Sequence, residues 1–562
     1  MKSTEYIAAK INLMLAIMIF TDAQLNQPTV QLKSGLSVIG VVNATIDEQK
    51  TFHAFRGIPY AEPPVGNLRF KSPVPLPQNL SGRVIDATRD RSKCIQFLYF
   101  PTQGSEDCLY INVYSPQHLG NSTELLPVMV WIYGGAFFNG SSGYDEFGPD
   151  YLLNENVIIV TFNYRLGVYG FLSTEDDASP GNYGIKDQVL ALNWIQENIV
   201  YFGGDKNKVT VFGESAGAAC IGYLTQTPIT KGLFRAAILE SGTTLGSWSI
   251  VRNPKSIAIK IGRYLNVNTS TSASLVDGLR KVDYERLTEA QFIFGLEVFI
   301  IKSLLNYLPF GPTYERPGPE AVITQYSYEK LNAGSFHQIP YLLGYNSQEA
   351  LAFPQVTTYL RAYLLKYDLL PTELVTPSLN IRNRFTQVFV NHIIKQHYFG
   401  IIPVVLSTKS IIQYISDNTF NRPITEAALL YSKYSKVYFY EFSYEGLLGS
   451  RYHKHEGVGH AEEINYLWKT SNSDIATKSD KLIRKQMVKL WTNFAKTENP
   501  TPKQDPLLHN VIWPIANKNN TFSLKYLNID KTLTTRINPK WKSFMFWTNL
   551  FNKYGNGPFS TY

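Results

Sequence analysis

The stretch that decides the fold is Val209-Thr210-Val211-Phe212-Gly213-Glu214-Ser215-Ala216-Gly217. Its first half is β-branched and apolar, which predicts a buried strand, and the Ala-rich residues that follow predict a helix. Between them stands a Gly-x-Ser-x-Gly turn, whose glycines allow a sharp bend without side-chain collisions. Such an elbow exposes a serine hydroxyl at the edge of a sheet. The sequence therefore predicts an α/β fold in which Ser215 attacks a carbonyl group.

A serine hydroxyl is a weak nucleophile, so it needs a base that takes its proton and an acid that orients the base. On the fold that carries this elbow, the partners follow the serine in the order acid, then histidine. His460 stands in a glycine-flanked turn and is the candidate base. The apolar segment 339–344 predicts a strand, and the polar loop after it ends in Glu349, the candidate acid. Glu462 and Glu463 are alternative acids, but they stand too close to His460 in sequence to reach behind its ring easily.

The tetrahedral intermediate also needs N–H donors for its charged oxygen, each worth roughly 3 kcal/mol of the barrier. The segment 128–137 is an apolar strand that ends in a glycine pair, like the oxyanion loop of lipases and esterases, which is usually His-Gly-Gly-Gly. This chain has Tyr133 in place of the histidine and Ala136 in place of the third glycine. Because the donors are backbone groups, we expect Gly135, Ala136 and Ala216 to supply them. The alternative is a tight turn whose glycines only relieve strain.

Further blocks in the same order indicate a known family. They are Phe55–Pro64 (FRGIPYAEPP), Ser105–Tyr110 (SEDCLY), Asn163–Gly167 (NYRLG), Gly184–Gln188 (GIKDQ) and Phe202–Asp205 (FGGD). Together with the elbow, they resemble the type-B carboxylesterase and cholinesterase family over most of the chain. The resemblance implies an α/β-hydrolase fold with a large, mostly parallel central sheet flanked by helices. It also implies a serine esterase with Ser215 as nucleophile, His460 as general base and acid, and Glu349 as the carboxylate that holds the imidazole.

The same resemblance implies roles for residues outside the triad. Cys94 and Cys108 form the first disulfide of the family, which contributes about 3 kcal/mol by the chain-entropy estimate, and Trp248 belongs to the acyl pocket. Four phenylalanines stand where the family builds its gorge wall, with ordinary core packing as the alternative: Phe292, Phe294, Phe299 and Phe353. Arg69 and Glu106 match a structural salt bridge, and Ser241 is expected to support the triad by a hydrogen bond.

Two departures narrow the subgroup. In cholinesterases the first disulfide loop is long and carries a tryptophan that holds a quaternary ammonium by a cation–π contact. Here the residues from Ile95 to Asp107 contain no tryptophan, so choline esters are not expected to be the preferred substrates. Juvenile hormone esterases usually carry glutamine before the serine, whereas this chain has Glu214. These features favour the broader carboxylesterase group, and the short loop with Gly-His-Ala-Glu-Glu looks insect-like.

The N-terminus predicts secretion. Lys2 and Lys10 precede the apolar run 11–20, and small residues up to Ala23 match a signal-peptidase site. We therefore expect residues 1–23 to be a signal peptide, and residues 24–562 to form a single α/β-hydrolase domain. An uncleaved anchor is the alternative, although the run is short for a bilayer span. Six glycosylation sequons are compatible with a secreted glycoprotein, with chance occurrence in an Asn-rich chain as the alternative: Asn43, Asn79, Asn121, Asn139, Asn268 and Asn519.

Composition excludes several other functions. The chain of 562 residues is 44% hydrophobic and 17% charged, which is globular rather than disordered. Its net charge of +8 is not concentrated in a basic run, so nucleic acid is not an expected partner. We expect a small-molecule ester as substrate, no cofactor, no metal and no stable membrane anchor. The alternatives are a non-catalytic adhesion or binding protein on the same fold, and a lipase.

Overall fold

The computed structural model of the chain describes residues 27–96, 102–116, 124–301, 307–352, 361–449, 456–517 and 523–562. The predicted signal peptide, Phe353 and the sequons at Asn121 and Asn519 lie outside these residues, and the side chain of Phe299 is not described.

The described strands, in chain order, are β1 (Thr29–Gln31), β2 (Ser37–Ile39), β3 (Val41–Ala44), β4 (Thr51–Pro59), β5 (Val84–Asp86), β6 (Tyr110–Ser115), β7 (Leu126–Ile132), β8 (Ile158–Phe162), β9 (Gly204–Glu214), β10 (Ala236–Glu240), β11 (Tyr341–Asn346), β12 (Val437–Phe442), β13 (Lys525–Ile529) and β14 (Thr534–Ile537). The described α-helices are α1 (Asp150–Leu153), α2 (Gly167–Phe171), α3 (Tyr183–Asn198), α4 (Ala216–Gln226), α5 (Pro254–Tyr264), α6 (Ser272–Arg280), α7 (Tyr284–Ile301), α8 (Ser327–Asn332), α9 (Arg361–Leu369), α10 (Arg384–Tyr398), α11 (Thr408–Ser416), α12 (Arg422–Ser432), α13 (Lys478–Thr497) and α14 (Trp541–Tyr554). A π-helix, Asp417–Asn421, joins α11 to α12.

Within the described ranges, one sheet has eleven strands in the order β14-β13-β12-β11-β10-β9-β7-β8-β6-β4-β3. Neighbouring strands from β13 to β8 run parallel, and the pairs at both margins are antiparallel. Every residue of β8 and β10 is buried, as expected when both faces of a parallel sheet are covered. The predicted architecture, a large and mostly parallel sheet flanked by helices, is confirmed.

An aromatic cluster connects three segments that carry predicted site residues. The ring of Trp131 in β7 lies 4.8 Å from that of Phe212 in β9 and 5.1 Å from that of Trp468. Phe212 and Trp468 stack at 5.6 Å with an angle of 11° between their planes. Because Trp468 stands shortly after His460 in the chain, this packing fixes the histidine segment against the strands that lead into the oxyanion loop and the elbow.

Candidate active site

The elbow holds Ser215 in a conformation that few residues adopt. β9 ends one residue before Ser215 and α4 begins one residue after it, as the sequence predicts. Ser215 has φ 57° and ψ −120°, and backbone strain of this kind is concentrated at functional sites. Its N–H donates to the carbonyl oxygen of Glu240 over 2.8 Å, which ties the turn to β10. A Cβ at Gly217 would overlap the carbonyl oxygen of Ile132, so the close crossing of these segments requires glycine.

His460 lies between Ser215 and Glu349. Its Nε2 is 2.8 Å from Ser215 Oγ, and its Nδ1 is 2.6 Å from Glu349 Oε2. The backbone N–H of His460 also donates to the carbonyl oxygen of Glu349 over 3.0 Å. Glu349 is buried at the start of a short 3₁₀ helix just past β11, where α/β sites collect their acids. The structure thus brings together three residues that stand 245 and 111 positions apart in the chain.

The other oxygen of Glu349 has its own donors. Its Oε1 accepts from the hydroxyl of Ser241 over 2.6 Å and from the backbone N–H of Asn346 over 2.8 Å. The alternative acids have other partners: Glu463 accepts from the side-chain amide of Asn346, and Glu462 accepts from a backbone N–H of the glycine turn over 3.0 Å. Burial, followed by the neighbouring carboxylates, raises the pKa of Glu463 well above its usual value. Glu349 is therefore the acid at Nδ1 of the imidazole.

A second carboxylate contacts the histidine, and sequence reasoning missed it. Glu214 Oε1 lies 3.0 Å from Nε2 of His460. Burial alone would lower the pKa of His460, but Glu214 and then Glu349 outweigh this effect and raise it well above its usual value. The contact at Nε2 attracts only when that nitrogen carries a proton, so it favours the imidazolium. A Cβ at Gly134 would lie 2.6 Å from Glu214 Oε2 and 3.0 Å from Cβ of Ser215, so only glycine permits this approach.

The predicted oxyanion loop bends sharply after β7. Gly135, Ala136 and Phe137 have φ values of 98°, 54° and 64°. Ala136 is therefore in the left-handed region, which costs a non-glycine residue about 1–2 kcal/mol. No backbone carbonyl of the described residues accepts a hydrogen bond from the N–H groups of Gly135, Ala136 or Ala216. These three groups are free to meet a negatively charged oxygen, and their role in doing so stays a prediction.

Tyr133, which replaces the histidine of many relatives, has a structural partner. Its buried ring stacks on that of Tyr164 with centroids 4.5 Å apart and 19° between the planes. The hydroxyl of Tyr164 donates to the carbonyl oxygen of Tyr133 over 2.7 Å. The tyrosine at position 133 therefore holds the start of the oxyanion loop against the loop that follows β8.

The predicted disulfide between Cys94 and Cys108 is present. Gln96, in the loop that it closes, binds Gly140 just beyond the oxyanion loop. The Gln96 amide donates to the Gly140 carbonyl oxygen over 2.9 Å and accepts from its N–H over 3.0 Å. The disulfide loop thus supports the oxyanion loop as well as the fold.

Trp248 is part of an aromatic wall that reaches the histidine. Its ring centroid lies 6.0 Å from that of Phe137 and 6.1 Å from that of Phe420, and Phe420 lies 4.4 Å from the ring of His460. The Trp248 indole N–H donates to the carbonyl oxygen of Thr419 over 3.1 Å. Thr419 and Phe420 belong to the π-helix. Elements of this kind are rare in proteins, and those that occur often lie at functional sites. Sequence reasoning found Trp248 but not this turn.

Comparison with known proteins gives the family. The model of the Carboxylesterase family matches residues 26–547. The chain belongs to the carboxylesterase family. Juvenile hormone esterase of Tribolium castaneum is 35% identical over 511 residues, 85% of this chain and 85% of that protein. Esterase FE4 of Myzus persicae is 34% identical over 557 residues, 93% of each chain.

A solved structure agrees. The crystal structure of juvenile hormone esterase from Manduca sexta, with OTFP covalently attached, matches with a TM-score of 0.82 and 28% identity, covering 94% of this chain and 100% of that chain. The predicted α/β-hydrolase fold is therefore confirmed, and this carboxylesterase is a carboxylic ester hydrolase that acts on small-molecule esters. Among the described residues, no helix combines the length and apolar character needed to span a membrane.

Proposed function

We propose that this carboxylesterase is a secreted serine esterase that hydrolyses carboxylic esters with an apolar acyl or alcohol part. The observation that carries the proposal is the position of His460, 2.8 Å from the hydroxyl of Ser215 and 2.6 Å from the carboxylate of Glu349. This is the arrangement that a serine hydrolase needs for proton transfer.

In the acylation half-reaction, Ser215 Oγ bonds to the ester carbonyl carbon while Nε2 of His460 takes the hydroxyl proton. The carbonyl oxygen becomes an oxyanion, which the N–H groups of Gly135, Ala136 and Ala216 stabilise. The bond to the alcohol then breaks, and the alcohol leaves with the proton from His460. The acyl group stays on the serine as an ester.

Deacylation uses the same groups. His460 takes a proton from water, the water oxygen bonds to the acyl carbon, and the bond to Ser215 Oγ breaks as that oxygen regains a proton. The carboxylic acid is released. Both half-reactions pass through an imidazolium, which Glu349 at Nδ1 and Glu214 at Nε2 stabilise at 2.6 and 3.0 Å.

Two features support the finer parts of the proposal. The wall formed by Phe137, Trp248 and Phe420 favours an apolar acyl group because it offers ring faces rather than charges. Secretion is supported by the predicted signal peptide at 1–23 and by the disulfide, since disulfides persist in oxidising compartments.

The test compares Ser215→Ala with the parent on p-nitrophenyl butyrate, at equal concentrations of folded protein. We expect kcat to fall about 10⁴-fold or more, because removal of a triad nucleophile has effects of this order. Exposed Ser335 provides the matched control, and Ser335→Ala is expected to keep parent activity. Parent-like hydrolysis by Ser215→Ala would end the proposal and favour a different nucleophile.

Substrate class and secretion have separate tests. In a series of p-nitrophenyl esters from acetate to dodecanoate, kcat/KM should rise from the shortest acyl chain, and a maximum at acetate would contradict the apolar pocket. When the full chain is expressed in insect cells, we expect the protein to accumulate in the culture medium, with Gln24 as its N-terminal residue by sequencing. Full-length protein retained in the membrane fraction would contradict cleavage and would indicate that residues 1–23 are an uncleaved anchor.

A further inference from the structure

A cavity lies apart from Ser215, Glu349 and His460, none of which lines it. It has a volume of about 600 Å³, within the range of about 300–1,000 Å³ typical of small-molecule sites. Its apolar wall consists of Ile250, Val251, Ile257, Ile259, Phe294 and Leu308. Phe294 was expected in the gorge wall, but its described surroundings are this cavity and the ring of Tyr264, 5.8 Å away. The cavity has no role in the proposed mechanism.

Arg252 lines this cavity, and Glu175 is the carboxylate among its described lining residues. Its guanidinium donates to the carbonyl oxygen of Ser247 over 2.9 Å and to the hydroxyl of Thr561 over 2.8 Å, both neutral groups. Among the described residues it forms no ion pair, and burial lowers its pKa. The Arg252 side chain is partly exposed and lines the cavity, so an anionic ligand there could accept charge-assisted hydrogen bonds that its neutral partners do not provide. A guanidinium can also donate more bonds than the two that it makes here.

The start of helix α5 adds to the positive character. Pro254 is its first residue, and the side chain of Asn253 does not cap it. Lys255 and Ser256 in the first turn line the cavity, so the positive end of the helix dipole lies at the same wall as Arg252. Lys255 pairs with Asp176 at 3.3 Å and therefore adds little net charge.

A single residue, Gly311, contacts both the cavity lining and the aromatic wall formed by Phe137, Trp248 and Phe420. A Cβ built on Gly311 would lie 3.5 Å from Val251, which lines the cavity, and 3.1 Å from the ring of Phe137, which contacts Trp248. Trp248 and Arg252 also belong to one short segment, with the indole on the site side and the guanidinium at the cavity. Gly311 therefore lies between the cavity and the aromatic wall of the proposed acyl pocket.

We propose that this cavity binds an apolar carboxylate, with its carboxyl group at Arg252 and its tail against the apolar wall. The choice of ligand rests on the proposed function, because hydrolysis of an ester with an apolar acyl part releases an acid of this class. The site is separate from Ser215, so its occupancy does not require the catalytic serine to be free.

The experiment measures binding with the catalytic site blocked. The purified chain is treated with diethyl p-nitrophenyl phosphate until mass spectrometry shows complete phosphorylation of Ser215, and dodecanoate below its micellar concentration is titrated by calorimetry. We expect one dodecanoate per chain. Dodecanol, which lacks the charge, and acetate, which lacks the tail, should each bind about tenfold or more weakly.

Two variants test the location. Arg252→Met removes the charge, and Ile257→Trp fills the cavity while leaving Arg252 and its bond to Thr561 in place. Both should weaken dodecanoate binding about tenfold or more, whereas Arg384→Met, at an exposed arginine outside the cavity, should not. If Arg252→Met does not fold, Ile257→Trp alone decides.

Three results would overturn the cavity proposal: no binding to fully phosphorylated protein, equal binding of dodecanol, or parent-like binding by Ile257→Trp. Failure of the serine to be phosphorylated would count instead against the proposed function, and the variants would then be compared on untreated protein. The two proposals therefore fail in different steps.

Discussion

Glu349→Gln should inactivate the enzyme through the tautomer of His460. In the parent, Oε1 of Glu349 accepts from the Ser241 hydroxyl and the Asn346 backbone N–H, at 2.6 and 2.8 Å. A glutamine at this position must place its carbonyl oxygen toward these two donors, because its NH₂ group cannot accept from them. The NH₂ group then faces Nδ1 of the imidazole, where Oε2 lies 2.6 Å away in the parent. Nδ1 becomes an acceptor, and the ring proton moves to Nε2.

A histidine with its proton on Nε2 cannot take the proton of Ser215. The same change of tautomer in a serine protease costs about 10⁴-fold in kcat, or about 5.5 kcal/mol of barrier. We expect a loss of this order here, without a large rise in KM, because Glu349 is buried and does not contact the substrate in the proposed mechanism. Burst and steady-state kinetics with p-nitrophenyl butyrate would separate acylation from turnover.

Two controls make the outcome specific. Glu462→Gln makes the same chemical change at an acid near His460 in sequence, and it should leave kcat within about tenfold because Glu462 is bound to the glycine turn rather than to Nδ1. Ser241→Ala combined with Glu349→Gln should not restore activity, because the Asn346 N–H still orients the amide. If Glu349→Gln alone keeps more than about a tenth of the parent kcat, the acid is not Glu349, and the reasoning from the two donors is refuted.

The remaining predictions concern pH, strain and the disulfide. Only neutral imidazole can take the serine proton, and carboxylates raise the pKa of His460. In a pH–rate profile, the rise of kcat/KM with pH should therefore be centred above the ordinary histidine pKa of about 6.5. Glu214→Gln should move the midpoint of this rise to lower pH. Ala136→Gly should keep kcat/KM, and its unfolding free energy in urea should stay equal or rise by up to about 1 kcal/mol, because relief of left-handed strain outweighs the added chain entropy. Cys94→Ala with Cys108→Ala should lower that free energy by about 3 kcal/mol; no change would contradict a loop-closing role.

The elbow could be predicted from sequence because its determinants are local. A β-branched strand, two glycines and an Ala-rich helix each act within a few residues, and the structure has β9, the strained Ser215 and α4 in those places. The partners are different, since Glu349 and His460 meet Ser215 only through the order of strands in the sheet. Their choice depended on chain order and on the family resemblance, and residue types alone would have left several histidines open.

The features that could not be predicted from sequence are contacts between segments that lie far apart in the chain. Glu214 was visible beside the serine, but its contact with Nε2 of His460 joins two segments that lie far apart in the chain, so no local pattern could indicate it. The π-helix that carries Phe420 arises from hydrogen-bond spacing and has no residue signature that predicts it. The cavity at Arg252 is likewise formed by segments distant in sequence, whose charges and apolar side chains look ordinary when read along the chain.

The carboxylates around His460 suggest how the site divides stability and catalysis. Burial raises the pKa of Glu240 to about 8 despite its bond from Trp491, and burial with the neighbouring carboxylates also raises the pKa of Glu463 well above its usual value, which disfavours the charged form of both acids. The acids that contact the imidazole are then Glu214 and Glu349, one at each ring nitrogen. In the neutral ring, Nε2 must accept from the serine hydroxyl and therefore cannot donate to Glu214. Glu349 binds the Nδ1–H of the neutral ring, but without the attraction of a positive charge. Both contacts strengthen when the proton arrives, so the site stabilises the charge that appears during the reaction more than the resting state, which is the condition for faster chemistry rather than tighter substrate binding.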